Sequence, residues 1–340
     1  MSDFRTVRGF EEVWRPVSAP RRRAETVLAG LRAEDPAGVR ARLARIVAKA
    51  PEVVTAVTGR SRSGAQLKAH LAYISRDGHL ELEDSDGARL HGPQAVSELA
   101  QDWAGQHLSD RTRRATTPIS RSIVLSMPAG VDPEALRRAG RAFAARTFGA
   151  RFDYVIAAHN DTAQPHLHLT VRALGYDGGR LPTFKPDLDR WRQDFAAALR
   201  DQGVEAEATP RRARGITRKT RRMLVVGARD RDVVGGPATI RPALYREAAR
   251  AAFQGDVALR PWERALAERQ ARIRGLYLRQ AELLDRSDDP QDRRLAQAVR
   301  VFVAEMPRPD SLRLALAREL RAVNARLAER DVPHGPERGR

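Results

Sequence analysis

The sequence predicts an α+β fold, an antiparallel sheet with packed helices, followed by a mainly α-helical C-terminal region. Three observations lead there. Between about residues 51 and 208, short runs rich in β-branched residues alternate with amphipathic segments. Several of these runs are joined by links too short for a parallel crossover, which favours antiparallel pairing over a doubly wound sheet. From Arg241 to Glu329 the apolar spacing is helical throughout, with Leu266, Ile273, Tyr277 and Leu284 on one stripe.

The elements follow in order. Val27, Leu28, Leu31, Val39, Leu43, Ile46 and Val47 recur at helical spacing, broken once by Asp35-Pro36. Val53 to Thr58 reads as a strand that Gly59 ends. Ser63, with Gln66 three residues on, has the form of a capping box that starts a helix over 64–75. Asp84-Ser85-Asp86-Gly87 sits between His79–Leu82 and Ala88–His91 as a hairpin turn. Pro93 to His107 reads as helix, and Ser122 to Met127 as a second clear strand. Asp132-Pro133-Glu134 opens a helix that runs to Gly149. Asp153–Ala158 and His166–Ala173 are strands. Asp187–Asp201 is a helix with Gly203 as its stop. Trp103 and Trp191 are expected to be core anchors.

Composition narrows the function. The chain has 340 residues and no cysteine, which removes disulfide frameworks, thiolate zinc sites and cysteine nucleophiles. No apolar run approaches a membrane span, and the first residues lack the apolar core of a signal peptide, so the expected address is cytoplasmic without membrane insertion. The formal net charge is +18, and 57 of the 61 basic residues are arginine. Such a chain is suited to a polyanion, and arginine to bidentate phosphate contacts.

The charge is uneven. Residues 51–208 hold 20 basic and 20 acidic residues, whereas residues 209–232 hold 9 and 2. The expected organisation is a helical N-terminal extension over 1–50, a catalytic domain over 51–208, a basic arm and linker over 209–236, and a helical region over 237–340. Arg211, Arg212 and Arg214 open the arm and are candidate DNA-backbone contacts. Arg60, Arg62 and Lys68 flank the start of the 64–75 helix, whose N-terminus also favours anions.

Three of the eight histidines fall between His159 and His168. His166 and His168 lie two apart on a strand, so both project from one face, while Leu167, Leu169 and Val171 project from the other. A short loop returns this strand beside His159. Three imidazoles on one polar face make a transition-metal site with open positions for a substrate oxygen. Asp161 can accept the second ring N–H of a histidine and fix its tautomer. The imidazole set favours Mn²⁺ or Zn²⁺, whereas Mg²⁺ prefers oxygen. His159 serves as ligand or as base, and the sequence leaves both roles open.

Tyr73 is the candidate nucleophile. It lies near the end of the capped helix, where Leu67, Leu71 and Ile74 form the apolar stripe and Gln66, Ala69, His70 and Tyr73 occupy another side. Three motifs then agree in order: Tyr73-Ile74-Ser75-Arg76; Leu125-Ser126-Met127-Pro128-Ala129-Gly130 with Asp132-Pro133; and His159-Asn160-Asp161 followed by Pro165-His166-Leu167-His168. In this the chain resembles the conjugative relaxases, or mobilisation nucleases, of the HUH class, in the branch of the T-DNA border endonucleases.

The resemblance covers roughly residues 53–205. It implies metal-assisted attack by Tyr73 on a scissile DNA phosphate, giving a 5′-phosphotyrosine link and a free 3′-OH that can religate. It implies nicking at a plasmid transfer origin, with Arg76 and Ser126 among the DNA contacts and His159, His166 and His168 as ligands of a divalent metal (Mn, Mg or Zn). It also implies single-stranded DNA, relaxosome accessory proteins and a type IV coupling protein as partners, with translocation of the attached strand. Arg172 stands where some relatives carry Asn. Rival readings are an HUH-type replication initiator, a non-enzymatic DNA-binding accessory protein, and a metal-dependent hydrolase that leaves the charge unexplained.

Overall fold

The computed structural model describes residues 4–14, 36–160, 164–217, 242–254 and 258–330. The chain divides into two compact units, Arg15–Thr209 and Met1–Trp14 with Pro210–Arg340.

The first unit is built on six strands: β1 (Val54–Ser61), β2 (Leu82–Asp84), β3 (Arg89–Leu90), β4 (Ser120–Ser126), β5 (Tyr154–His159) and β6 (His166–Arg172). Their order in the sheet is β1-β4-β6-β5-β2-β3, and every pairing is antiparallel. Among the described residues, five helices accompany them: α1 (Pro36–Val47), α2 (Gly64–Ile74), α3 (Gly92–Ser109), α4 (Pro133–Ala144) and α5 (Lys185–Asp201). The α4 helix starts as the sequence indicates, with Asp132 accepting from the N–H groups of Glu134 and Ala135. It runs into a π-helical turn over Ala145–Gly149 in place of the continuous helix expected.

Alternation along the central strands separates the two faces. Ile123, Leu125, Leu167, Leu169 and Val171 are buried against Leu136 and Phe143 of α4 and Trp191 and Phe195 of α5. Burial of each such side chain is worth about 1.5–3 kcal/mol. Gly140 lets α4 approach closely, since a Cβ there would lie 2.1 Å from Leu167 Cδ1. On the other face, Leu67, Leu71 and Ile74 of α2 and Val96, Ala100 and Trp103 of α3 cluster with Val155 and Ala157 of β5. The same face carries Ser122, Ser126, His166, His168 and Thr170, with Val124 opposite His168. Glu207 ties α1 to the segment after α5, accepting from Arg45 Nε at 2.8 Å with Arg42 Nε at 3.6 Å.

The strand expected to stop at Gly59 continues to Ser61. A bulge between Val57 and Gly59 absorbs one residue, and the ladder resumes with Gly59 opposite Ser122.

The second unit holds α6 (Pro242–Phe253), α7 (Pro261–Asp285), α8 (Pro290–Glu305) and α9 (Leu312–Arg330), with α7 packed on α8 and α6 on α9. The N-terminal residues belong here. The Phe10 ring meets Trp14 at 5.2 Å and Tyr277 at 5.7 Å, both edge-on, and Tyr277 packs on Phe302. Val7 N–H donates to Gln280 Oε1, and Gln280 Nε2 donates to Arg5 O, each at 2.9 Å. The expected extension over 1–50 is therefore divided between the two units. The cause is packing: Phe4, Phe10, Val13 and Trp14 are buried within the helical unit. The expected helix from Arg22 is described only from Pro36 onward.

The basic arm also differs from expectation. Arg211–Arg214 form a 3₁₀ turn closed by Gly215 at φ +73°. Gln270 Nε2 donates to Arg212 O, and Ala213 is fully buried. Arg211, Arg212 and Arg214 are half-buried on the helical unit, so this part is not a free arm. The rest of the arm, from Arg218, lies outside the described residues. Among the described residues, no helix is long and apolar enough to cross a membrane.

Candidate active site

The antiparallel register builds the site. His159, the last residue of β5, stands directly opposite His166, the first of β6, and Ser126 lies opposite His166 on the other side. His168 follows two residues on, on the same face. The ring centroids of His159, His166 and His168 lie 4.5–5.1 Å apart. One nitrogen from each lies within 4.8 Å of the others. Three imidazole nitrogens at this separation fit one divalent cation.

Backbone carbonyls orient two of the rings. His159 is 2% exposed, and its Nε2 donates to Ile74 O at 2.7 Å. That leaves Nδ1 as the lone-pair nitrogen. His166 Nδ1 donates to Gln164 O at 3.1 Å, which leaves Nε2. Such second-nitrogen contacts fix the tautomer and orientation of both rings. Asp161 itself lies outside the described residues. Burial pushes the His168 imidazole down to about 3, helped by His159, His166, His70 and Arg76, so it is neutral and keeps a lone pair for a cation at ordinary pH.

Tyr73 is the penultimate residue of α2 and is 61% exposed. Its ring meets His168 edge-on at 6.2 Å between centroids. Ser63 caps the helix start as expected, its Oγ accepting from Gln66 N–H, but Gln66 Oε1 accepts from Arg62 N–H in place of the Ser63 N–H of a full capping box. The other end is unusual. Arg76, Asp77 and Gly78 have φ of 52°, 56° and 86°, three successive left-handed residues of which two carry side chains. Each costs about 1–2 kcal/mol outside glycine. Asp77 N–H to Ala72 O at 2.7 Å and Leu80 N–H to Ser75 O at 2.7 Å hold the turn. Its product is the placement of Arg76, whose guanidinium lies 5.9 Å from the Tyr73 ring centroid and 3.5 Å from His159 Nδ1.

The sequence does not mark His70 as a site residue. Its Nε2 lies 2.9 Å from Ser122 Oγ and 3.0 Å from Thr170 Oγ1, pinning α2 to the sheet one turn before Tyr73. Burial lowers its pKa, which keeps the ring neutral. The signal that could have found it is its spacing of three from Tyr73, on the side away from the leucines.

The other predicted residues are placed as follows. Ser126 is on the site face beside His166, its Oγ 3.5 Å from Pro165 O. Lys68 is exposed on α2, five residues from Tyr73 and so turned to another side of the helix. Arg60 and Arg62 are exposed near the start of α2, but Arg60 pairs with Arg121 in register, which sets it on the face opposite the histidines. Arg172 is occupied, its Nη1 and Nε bonding Asp153 and Leu174 O.

Comparison with known proteins agrees with this geometry. Residues 73–204 match the family model described as Relaxase: MobA/VirD2-like, nuclease domain. The T-DNA border endonuclease VirD2 of Rhizobium radiobacter is 33% identical, over 47% of this chain and 42% of that protein. The protein of the same name from Agrobacterium fabrum is 32% identical, over 47% and 40%. The chain thus spans about two fifths of the length of the curated relatives it matches. A solved structure titled "Molecular Basis of Vancomycin Resistance Transfer in Staphylococcus aureus" covers 47% of this chain at 13% identity, with a TM-score of 0.32 too low to carry an argument. The motif order and the strand register thus agree with the match of residues 73–204 to the MobA/VirD2-like relaxase nuclease-domain model.

Proposed function

We propose that the protein is a DNA relaxase that nicks and religates one strand at a plasmid transfer origin for conjugative mobilisation. The observation that carries this reading is the convergence of an exposed Tyr73 ring with His168 and the neighbouring His159 and His166. The histidines would hold a divalent metal ion; nitrogen donors favour Mn²⁺ or Zn²⁺, and Mg²⁺ is the alternative set by availability. When bound, that ion withdraws charge from an oxygen of the scissile phosphate.

The chain's own residues supply the rest. Tyr73 Oη attacks phosphorus, the P–O3′ bond breaks, and the 5′-phosphate remains on the tyrosine. The phenolic proton leaves to water, which reaches the exposed ring, and the departing O3′ takes a proton from water. Phosphoester energy is conserved in the link, so the 3′-OH can reverse the step. Arg76, 5.9 Å from the Tyr73 ring centroid, would neutralise charge on the phosphate. We read His159 as a ligand in preference to a base, a reading supported by the 2.7 Å contact of its Nε2 with Ile74 O, which leaves one nitrogen with a lone pair. Asp161 retains the role of a further orienting carboxylate, and Ser126 that of a strand contact. Accessory proteins, a type IV coupling protein and cytoplasmic residence before transfer belong to the same reading.

The test is incubation with Mn²⁺ and single-stranded oligonucleotides from the plasmid's transfer origin. A metal-dependent covalent adduct is expected on denaturing gels. It should vanish in Tyr73→Phe, and cleavage should vanish in His166→Ala/His168→Ala with binding largely kept. Cleavage without an adduct, or an adduct that survives Tyr73→Phe, overturns the assignment.

A further inference from the structure

The far face of the sheet presents a second place for an anion. Arg60 stands directly opposite Arg121 in the β1–β4 ladder, where like charges repel. Arg121 in turn lies opposite Val171, on the face away from His166 and His168. The bulge between Val57 and Gly59 sets this orientation, because it shifts the alternation of β1 by one residue.

Several half-buried arginines of this unit face carboxylates: Arg141 with Glu83, Arg172 with Asp153, Arg180 with Asp110. Arg60, Arg62 and Arg121 make no ion pair among the described residues. Arg121 Nε is buried without a hydrogen-bond partner. Burial lowers the Arg121 pKa, and the charges of Arg60 and Arg62 lower it further, consistent with Arg60 opposite it in the ladder and Arg62 two residues on along the same side. A cluster of donors with an unmet N–H and no acid is complementary to a phosphate.

We infer that Arg60, Arg62 and Arg121 form a second phosphate-binding site, which takes the backbone of the single-stranded DNA well away from the scissile bond. Arg121 and Ser126 are five residues apart on β4, about 17 Å. That is roughly five phosphate spacings of a stacked strand. A strand that reaches both sites passes over the Ser61–Ser120 end of the sheet. This rests on the proposed DNA substrate, while the binding itself is measurable without chemistry.

The experiment uses the full chain, EDTA to prevent cutting, and fluorescein-labelled oligo(dT) of 6 and 20 nucleotides. The salt slope of log affinity changes by about 0.7 per phosphate contact on single strands. For the 20-mer, Arg60→Gln/Arg62→Gln/Arg121→Gln should flatten the slope by about 2, so raising salt from 50 to 200 mM should cost the parent about 16-fold more affinity than the variant. The 6-mer, too short to span both sites, should show a smaller change. Arg60→Lys/Arg62→Lys/Arg121→Lys should restore most of the slope. The Gln variant should melt no lower than the parent, since repulsion is relieved.

Equal 20-mer slopes in parent and Gln variant, or a melting point several degrees lower in the variant, overturn the site. Equal slope losses on both oligonucleotides overturn its distance from the nick. If the parent forms no Tyr73 adduct yet the 20-mer slope flattens as expected, the anion site stands and the nicking reading fails. An adduct with unchanged slopes overturns the anion site and leaves the nicking reading in place.

Discussion

In the helical unit, Glu263 is buried and answered from all sides, by Arg313, by Ser311 and by the Arg260 N–H. In the sheet unit, three imidazoles converge, Arg60 faces Arg121, and two non-glycine residues sit in left-handed backbone after Tyr73. Glu263 meets its cation within its own unit, whereas Arg60 and Arg121 oppose each other with no ion pair to either among the described residues. Complete pairing suits a structural element. Incomplete pairing and local strain mark a surface shaped for a ligand that carries the missing charge. Net charge would have pointed elsewhere, since residues 51–208 are formally neutral.

The comparison can be broken most severely by removing residues 1–14. Phe4, Phe10, Val13 and Trp14 are all buried in the helical unit. Their loss should cost more than about 5 kcal/mol and unfold α7 and α8, whereas β4 and β6 keep their hydrogen-exchange protection. Equal loss of protection in both units would show that they are not separate.

Next is Glu263. Glu263→Leu leaves Arg313 buried without its partner and should destabilise by about 3–5 kcal/mol, read by urea unfolding. The pH dependence has a defined sign. Burial alone would raise this carboxyl, but hydrogen bonds from Arg313, Ser311 and Arg260 N–H outweigh it and hold it at about 2, below its usual 4.5. Its contribution is therefore full above about 4.5 and is lost as pH falls toward about 2. Protection factors of α7 and α9 should fall in that window in the parent and stay flat in Glu263→Gln.

Gly78→Ala tests the strained turn. Gly78 has φ +86°, and a Cβ would lie 2.4 Å from the Gly92 carbonyl carbon. A cost of about 2–4 kcal/mol is expected. Because the turn aims Arg76, adduct formation should fall further than the loss of folded protein accounts for. A proportional fall would reduce the turn to a structural role. The smallest effect belongs to Lys68→Ala. On an exposed side of α2 turned from Tyr73, it should change the salt slope by no more than about 0.7.

Much of the fold and of the site is legible in the sequence because it is local. The alternation of Leu167, Leu169 and Val171 with His166 and His168 fixes both the core face and the site face, and the return of the chain at His159 completes the triad. Ser63 and Asp132 announce their helices by side chains within three residues of the N–H groups they bind. Other features are hidden for physical reasons. The partner of His159 is the carbonyl of Ile74, and a main-chain acceptor leaves no mark on residue identity. Gly59 reads equally as a strand end or as a bulge, and only the bulge sets Arg60 opposite Arg121. The packing of Phe10 on Tyr277 joins residues that no periodicity relates.

That last contact has a consequence for biosynthesis. Val7 and Gln280 are 273 residues apart in sequence. At about 5–20 residues per second, the ribosome needs roughly 14–55 seconds between them. Through that interval the sheet unit can fold on the nascent chain, while Phe4, Phe10 and Trp14 wait for the helix that will cover them. A chain interrupted before α7 keeps these aromatics uncovered. The closing of the helical unit by residues 4–14 thus waits until translation has passed α7.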